Sequence, residues 1–209
     1  MLFQIESRER FNTYSHLLAG LIALCSGGIL IGLSVQQGSS FKVTAFSIYT
    51  LTSVGLFWIS ALYHGNREPK KSLLRKFDYL GIYLKIAGNY TPYALLVLSG
   101  WDRRIVFGGV WGFAVFGFCC ELYFHFQNRR LALWNYLIMS VTVLLAYKDF
   151  VAQMPSSGLW MILGGFMSYG LGVISFLNDE KWKYGHEVWH VCVMLASFLH
   201  FLPLLLFVV

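Results

Sequence analysis

His186-Glu187-Val188-Trp189-His190 opens the last apolar stretch of the chain, residues 186–209. Two histidines at i and i+4 share one face of a helix, with Cβ atoms roughly 5–6 Å apart, close enough for both imidazoles to hold one metal ion. On a soluble helix such a pair is often just a solvated face. Here it stands at the mouth of a long hydrophobic run, where polar groups are costly and usually functional.

Six further apolar blocks precede it, at 11–35, 41–63, 77–99, 105–120, 131–147 and 159–177. Of the 209 residues, 57% are hydrophobic, 18% aromatic and only 12% charged, far from ordinary soluble composition. About 20 residues at 1.5 Å each cross the ~30 Å of a bilayer's hydrocarbon. Most of the blocks reach that length, and the fourth and fifth are the short ones. The runs are too long, and too uniformly apolar, for barrel strands, so helices must satisfy the backbone in lipid. The expected fold class is all-α: an integral membrane bundle of seven transmembrane helices, forming a single domain over 1–209.

Positive charge sets the expected orientation. With the N-terminus cytoplasmic, eleven cationic residues fall inside: Arg8, Arg10, Arg67, Lys70, Lys71, Arg75, Lys76, Arg129, Arg130, Lys181 and Lys183. Only Lys42, Arg103, Arg104 and Lys148 fall outside, and Lys85 lies within a span. The C-terminus is then outside. This asymmetry, with attraction to anionic headgroups, accounts for the net charge of +6 without nucleic acid. The charged run before residue 11 resembles a signal peptide, but the apolar run is too long and lacks a small-x-small cleavage site, so the first span is expected to stay as a helix. Cys25, Cys119, Cys120 and Cys192 lack metal-type spacing and read as buried thiols.

Asn12, His16 and Gly20 are spaced by four and stack on one stripe, which Gly28-x3-Gly32 continues as a close-packing face. Gly108-x3-Gly112 and the cluster of Gly164, Gly165, Gly170 and Gly172 read the same way. Ser60 lies one turn above His64 at the end of the second span. Asp78 begins the third, and Lys85, seven residues on, must snorkel, pair or face water. Gly88-Asn89-Tyr90-Thr91-Pro92 predicts a kink, with Asn89 and Thr91 available to satisfy freed backbone groups. His125 reads as a solvated loop residue and His200 as hydrogen-bonded within the bundle.

Topology and residue type then converge. The second span ends inside, and the third and seventh begin there, so His64, Asp78, His186 and His190 are predicted at one membrane depth. Three imidazoles with an oxygen ligand make a zinc-type set that leaves a position for water. Such a zinc acidifies water and polarises a carbonyl. Asp78 would take or orient the water's proton, and Ser60 would donate to the site or to a developing oxyanion.

Ser60-x3-His64, Asp78 with Ile86-Ala87-Gly88-x-Tyr90-Thr91-Pro92, and His186-x3-His190 together resemble the hemolysin III family. That family is grouped with the progestin and adipoQ receptors and, more distantly, the alkaline ceramidases. The resemblance covers nearly the whole chain, including Asn12-x3-His16. It implies zinc held by His64, His186 and His190, with Asp78 near the metal through a water and Ser60 beside it; Asn12, His16 and Lys85 are the candidates for positions around these ligands, although Lys85 stands where many relatives carry an apolar residue. It also implies a multi-pass protein of a bacterial inner membrane whose partner is a membrane lipid or fatty-acyl ligand, admitted sideways between helices.

Three functions follow as expectations. The first is zinc-dependent hydrolysis of a ceramide-like amide or ester. The second is a sensor or regulator of membrane fluidity or energetics in which zinc is structural. The family name suggests a third, a pore-forming cytolysin, but a secreted toxin must be soluble before insertion and seven apolar helices are not. Ion or proton transport is disfavoured because Asp78 is expected to be the only carboxylate deep enough for a relay.

Overall fold

The computed structural model describes residues 5–124 and 129–209, so His125 lies outside the described residues. They form seven helical columns. A 3-10 turn, Ser7–Glu9, leads into α1 (Arg10–Gln36), followed by α2 (Ser40–His64) and α3 (Lys70–Pro92). Next come α4 (Gly100–Tyr123) and a composite column of α5 (Arg129–Val141), a 3-10 turn (Thr142–Ala146) and α6 (Tyr147–Gln153). The last two columns are α7 (Ser156–Leu177) and α8 (Gly185–Pro203).

Six of the columns are long and apolar enough to cross a membrane. The exception is α3, and its placement explains why. It packs against α2, α4 and α5, so its polar side chains Lys85, Asn89 and Thr91 are buried. An interior helix does not need a lipid-facing surface around its whole circumference. Elsewhere large apolar side chains such as Leu18, Leu51, Val115, Leu144 and Met167 point outward, as lipid requires. The chain is a multi-pass integral membrane protein.

The fourth and fifth columns are longer than the apolar blocks predict, each spanning 24 residues. Their charged ends belong to the helices because local partners satisfy them. Arg103 Nε donates to Leu98 O at 2.9 Å, and Asp149 of α6 accepts at 2.9 Å from the N–H of Ser99, the residue before α4.

The proline region of α3 also departs from expectation. Pro92 lies in the last turn of the α-helix, and the chain continues as a π-turn, Tyr93–Val97. The same arrangement recurs after Pro203, with a π-turn over Leu204–Val208. Thr91 Oγ1 donates to Ala87 O at 2.8 Å. The Asn89 amide instead reaches across the bundle to His200 Nδ1 at 2.9 Å, and His200 Nε2 contacts Ile162 O at 3.0 Å. His200 is thus a bundle residue, as its position predicts.

The glycine stripes divide into two kinds. Gly28 and Gly32 face outward with open space where a side chain would begin, and so do Gly108 and Gly112, so these pairs are not packing faces within the chain. Gly20, by contrast, lies against Trp58, and Gly165 lies against the His200 ring. At Gly88, where α2 crosses α3, an added Cβ would stand 1.9 Å from Thr52 Oγ1. Replacing Gly88 with alanine is expected to overpack this crossing and lower the thermal midpoint in detergent, a cost of about 1–3 kcal/mol. Gly28→Ala, with no neighbour to meet, is expected to leave that midpoint unchanged.

Candidate metal centre

Four chain segments bring the site together at one end of the bundle. His64 is the last residue of α2, while His186 and His190 occupy the first two turns of α8. The ring centroids form a nearly equilateral triangle: 5.0 Å from His64 to His186, 4.8 Å from His64 to His190, and 4.9 Å from His186 to His190. One ligating atom from each lies within 4.8 Å of the others, so the group could hold a metal ion.

Carboxylates orient two of the rings. Glu9, from the turn before α1, places Oε2 at 2.7 Å from His64 Nδ1. Asp179, from the loop after α7, places Oδ2 at 3.1 Å from His186 Nδ1. Each carboxylate accepts an Nδ1–H and so leaves Nε2 as the free lone pair, the arrangement that fixes tautomer and ring angle in metal-bound histidines. The two Nε2 atoms then face one another at 3.3 Å. Two lone pairs at that distance repel unless a cation lies between them. Metal–nitrogen bonds of 2.0–2.1 Å in a tetrahedron would put ligand nitrogens about 3.3–3.4 Å apart. The donor set and its spacing fit a zinc-type ion.

Local sequence explains how Asp179 arrives. Gly185 lies against the backbone of Asp179, where an added Cβ would come within 2.7 Å of its Cα. Ser175 Oγ donates to Gly185 O at 2.7 Å and fastens the same corner. Glu9 is held in turn by Asn12 Nδ2 at 3.1 Å and Lys71 Nζ at 2.7 Å.

The predicted residues distribute as follows. Ser60, His64, Asp78, His186 and His190 all line one cavity of about 450 Å³, together with Asn12 and His16. The Ser60 side chain interacts with Asp78. Asn12 touches the ligands indirectly, through Glu9. His16 stacks on His190 with centroids 3.7 Å apart, and both His16 ring nitrogens and His190 Nδ1 are buried without partners. Orphaned nitrogens beside a ligand cluster point to a bound water or ion. Lys85 is not part of this group; its ammonium sits on Ser53 and over the Tyr49 ring, in the wall of a second cavity.

Glu9 and Asp179 are absent from the sequence-predicted set. Glu9 carries a usable signal, since it precedes Asn12 by three residues and His16 by seven on the same stripe. Asp179 carries none, because it sits in a loop without periodicity. Glu121 also corrects an expectation: near the end of α4 it is a buried carboxylate besides the half-buried Asp78, and it accepts from Tyr83 Oη at 3.3 Å.

The second cavity, about 410 Å³, is mostly apolar and shares Leu56, Tyr79, Ile82, Phe176, Trp189 and Val193 with the histidine cavity. Its rim includes Leu137, Val141 and Leu144, which face the outside of the bundle. An apolar space opening toward lipid therefore adjoins the cluster.

Replacing Glu9 with glutamine is expected to weaken metal binding at this cluster about 10- to 100-fold, as loss of an orienting carboxylate does elsewhere. Asp179→Asn should act in the same direction. Competition with a chromogenic chelator would measure both.

Comparison with known proteins adds family information. The family described as Haemolysin-III related matches residues 4–201. The chain is similar to Hemolysin-3 of Bacillus cereus, 29% identical over 206 residues, covering 98% of this chain and 94% of that protein. It is 27% identical to the Hemolysin-3 homolog of Bacillus subtilis (strain 168), covering 90% and 89% of the two chains. It is also 27% identical to the monocyte to macrophage differentiation factor of Homo sapiens, covering 91% and 80%.

Proposed function

The chain belongs to the Haemolysin-III related family, and from that premise we propose that it is a zinc-dependent hydrolase of a membrane lipid, cleaving a ceramide-like amide or an ester at the cytoplasmic side. The observation that carries this reading is a carboxylate-oriented histidine triad beside an apolar cavity with a lipid-facing rim. His64, His186 and His190 would hold the metal. Zinc there would supply Lewis acidity toward a carbonyl and acidify water at neutral pH.

The protein's own groups do the rest. Glu9 and Asp179 keep both Nε2 lone pairs on the cavity side. Asp78 accepts the proton of the attacking water and returns it to the leaving group. Ser60 donates its one hydroxyl hydrogen to Asp78 and so orients that carboxylate. The adjoining cavity takes the substrate's hydrocarbon chain and excludes water from it. A cytoplasmic site is supported by the eleven cationic residues of the segments at the histidine end.

A second reading is favoured by the origin of the ligands. Histidines from α2 and α8, with Glu9 at the start of α1, make a metal a clamp across three helices, which suits a sensor with structural zinc.

Elemental mass spectrometry of detergent-purified protein is expected to find about one zinc per chain, lost in His186→Ala/His190→Ala; retained zinc would refute the shared site. Lipid product from wild type but not from Asp78→Ala, with zinc content equal in both, is the expected outcome for hydrolysis. Equal product from the two, or none from either, would leave the clamp.

A further inference from the structure

His190 is the one histidine of the triad with no carboxylate behind it. Glu9 accepts from His64 Nδ1 and Asp179 from His186 Nδ1, whereas His190 Nδ1 is enclosed without a partner, in a residue only 1% exposed. Its Nε2 is not enclosed in this way, so Nε2 is the nitrogen on the cavity side. With Nε2 as the lone pair, Nδ1 carries the hydrogen of a neutral ring. A buried donor of this kind left unpaired costs about 1–3 kcal/mol.

The ring beside it cannot be the direct acceptor. His16 stacks on His190 with centroids 3.7 Å apart and planes 25° apart. Imidazole hydrogens and lone pairs lie in the ring plane, so two stacked rings do not bond to each other. Both His16 nitrogens are themselves enclosed without partners. Asn12 adds an acceptor, one turn earlier on the same stripe of α1. Its Nδ2 donates to Glu9 Oε2 at 3.1 Å, and an ionised carboxylate only accepts, so the amide orientation is fixed. Asn12 Oδ1 is then the atom left buried without a partner.

Donors and acceptors balance through a third body. His190 offers one donor, Asn12 one acceptor, and a neutral His16 one of each. A cation there would face the His190 Nδ1–H, and an anion would face Asn12 Oδ1. A water accepts and donates, and about three polar partners are what hold one in a buried place. All three side chains line the same cavity, and about 450 Å³ gives a water room. We propose that His16 is a positioning residue for the third ligand: with Asn12 it holds a water that accepts from His190 Nδ1, as Glu9 accepts from His64 and Asp179 from His186. Water is a weaker acceptor than a carboxylate, which makes His190 the least basic of the three rings. This role for His16 rests on the metal reading of the cluster, while the hydrogen-bond chain does not, and neither rests on hydrolysis.

The test reads ring tautomers in the metal-free, detergent-purified full chain, by long-range proton–nitrogen NMR correlation of isotope-labelled histidine at mildly alkaline pH. The His190 signals are assigned by their loss in His190→Gln, and zinc affinity is read by chelator competition. His16→Gln keeps a donor and an acceptor without the ring, whereas His16→Phe keeps a stacking ring without either. Wild type is expected to hold the His190 hydrogen on Nδ1. His16→Gln should keep that tautomer and the zinc affinity, and His16→Phe should mix the two tautomers and weaken zinc about 10- to 100-fold. Hydrogen on Nε2 in the wild type would overturn the assignment whatever the variants do. So would a His16→Phe variant matching wild type, which would reduce His16 to a stacking partner, or a His16→Gln variant losing as much as His16→Phe, which would make ring packing the cause. No zinc in the wild type beside the expected tautomers would overturn the metal reading and leave the hydrogen-bond chain in place.

Discussion

Two imidazole lone pairs held 3.3 Å apart are the interaction on which the charge-rich end of this bundle depends. By themselves two such lone pairs repel. Their approach is enforced by carboxylates behind each ring, and those carboxylates come from the turn before α1 and the loop before α8. A cation between the rings turns the enforced contact into a bond that ties α1, α2 and α8 together. A metal held there would thus also fasten the fold.

The interior of the bundle is organised by the opposite condition, polar groups far from water. In a soluble protein α3 would read as an amphipathic surface helix. Here lipid surrounds the bundle, so the polar stripe turns inward and finds partners: Asn89 with His200, Thr91 with Trp111, Tyr90 with the Ser140 carbonyl. Each bond joins α3 to a different column, and the helix becomes the hub. The cost is that its polar groups must all be matched, and Lys85 and Asn89 are matched only in part.

The two cavities follow from how the columns close. α1, α2 and α3 pack in succession, and α7 packs along α8, which meets α1. The composite fifth column and α7 touch little, and the apolar space opens between them. That opening adjoins the histidine cavity, with which it shares Leu56, Tyr79, Ile82, Phe176, Trp189 and Val193.

Much of this was legible in the residues. The apolar blocks located the spans, and the i, i+4 histidines with His64 and Asp78 reached one depth through charge asymmetry alone, because spacing along a helix and distance across a bilayer are both fixed by helical rise. The first-turn carboxylate Glu9 was within reach of the same stripe logic that singled out Asn12 and His16. Other features were not legible. Helix ends at Arg103 and Asp149 depend on partners outside their own helices, and the outward face of Gly28 and Gly32 depends on how α1 is rotated. The pairing of Asp179 with His186, the separation of Lys85 from the histidines and the burial of Glu121 depend on which columns adjoin. Composition and periodicity determine that this chain is a helical membrane protein with a histidine cluster at one end, since those follow from transfer to lipid and local geometry. Which side chains meet across the bundle was decided only by tertiary packing, since contacts between distant segments leave no periodic trace.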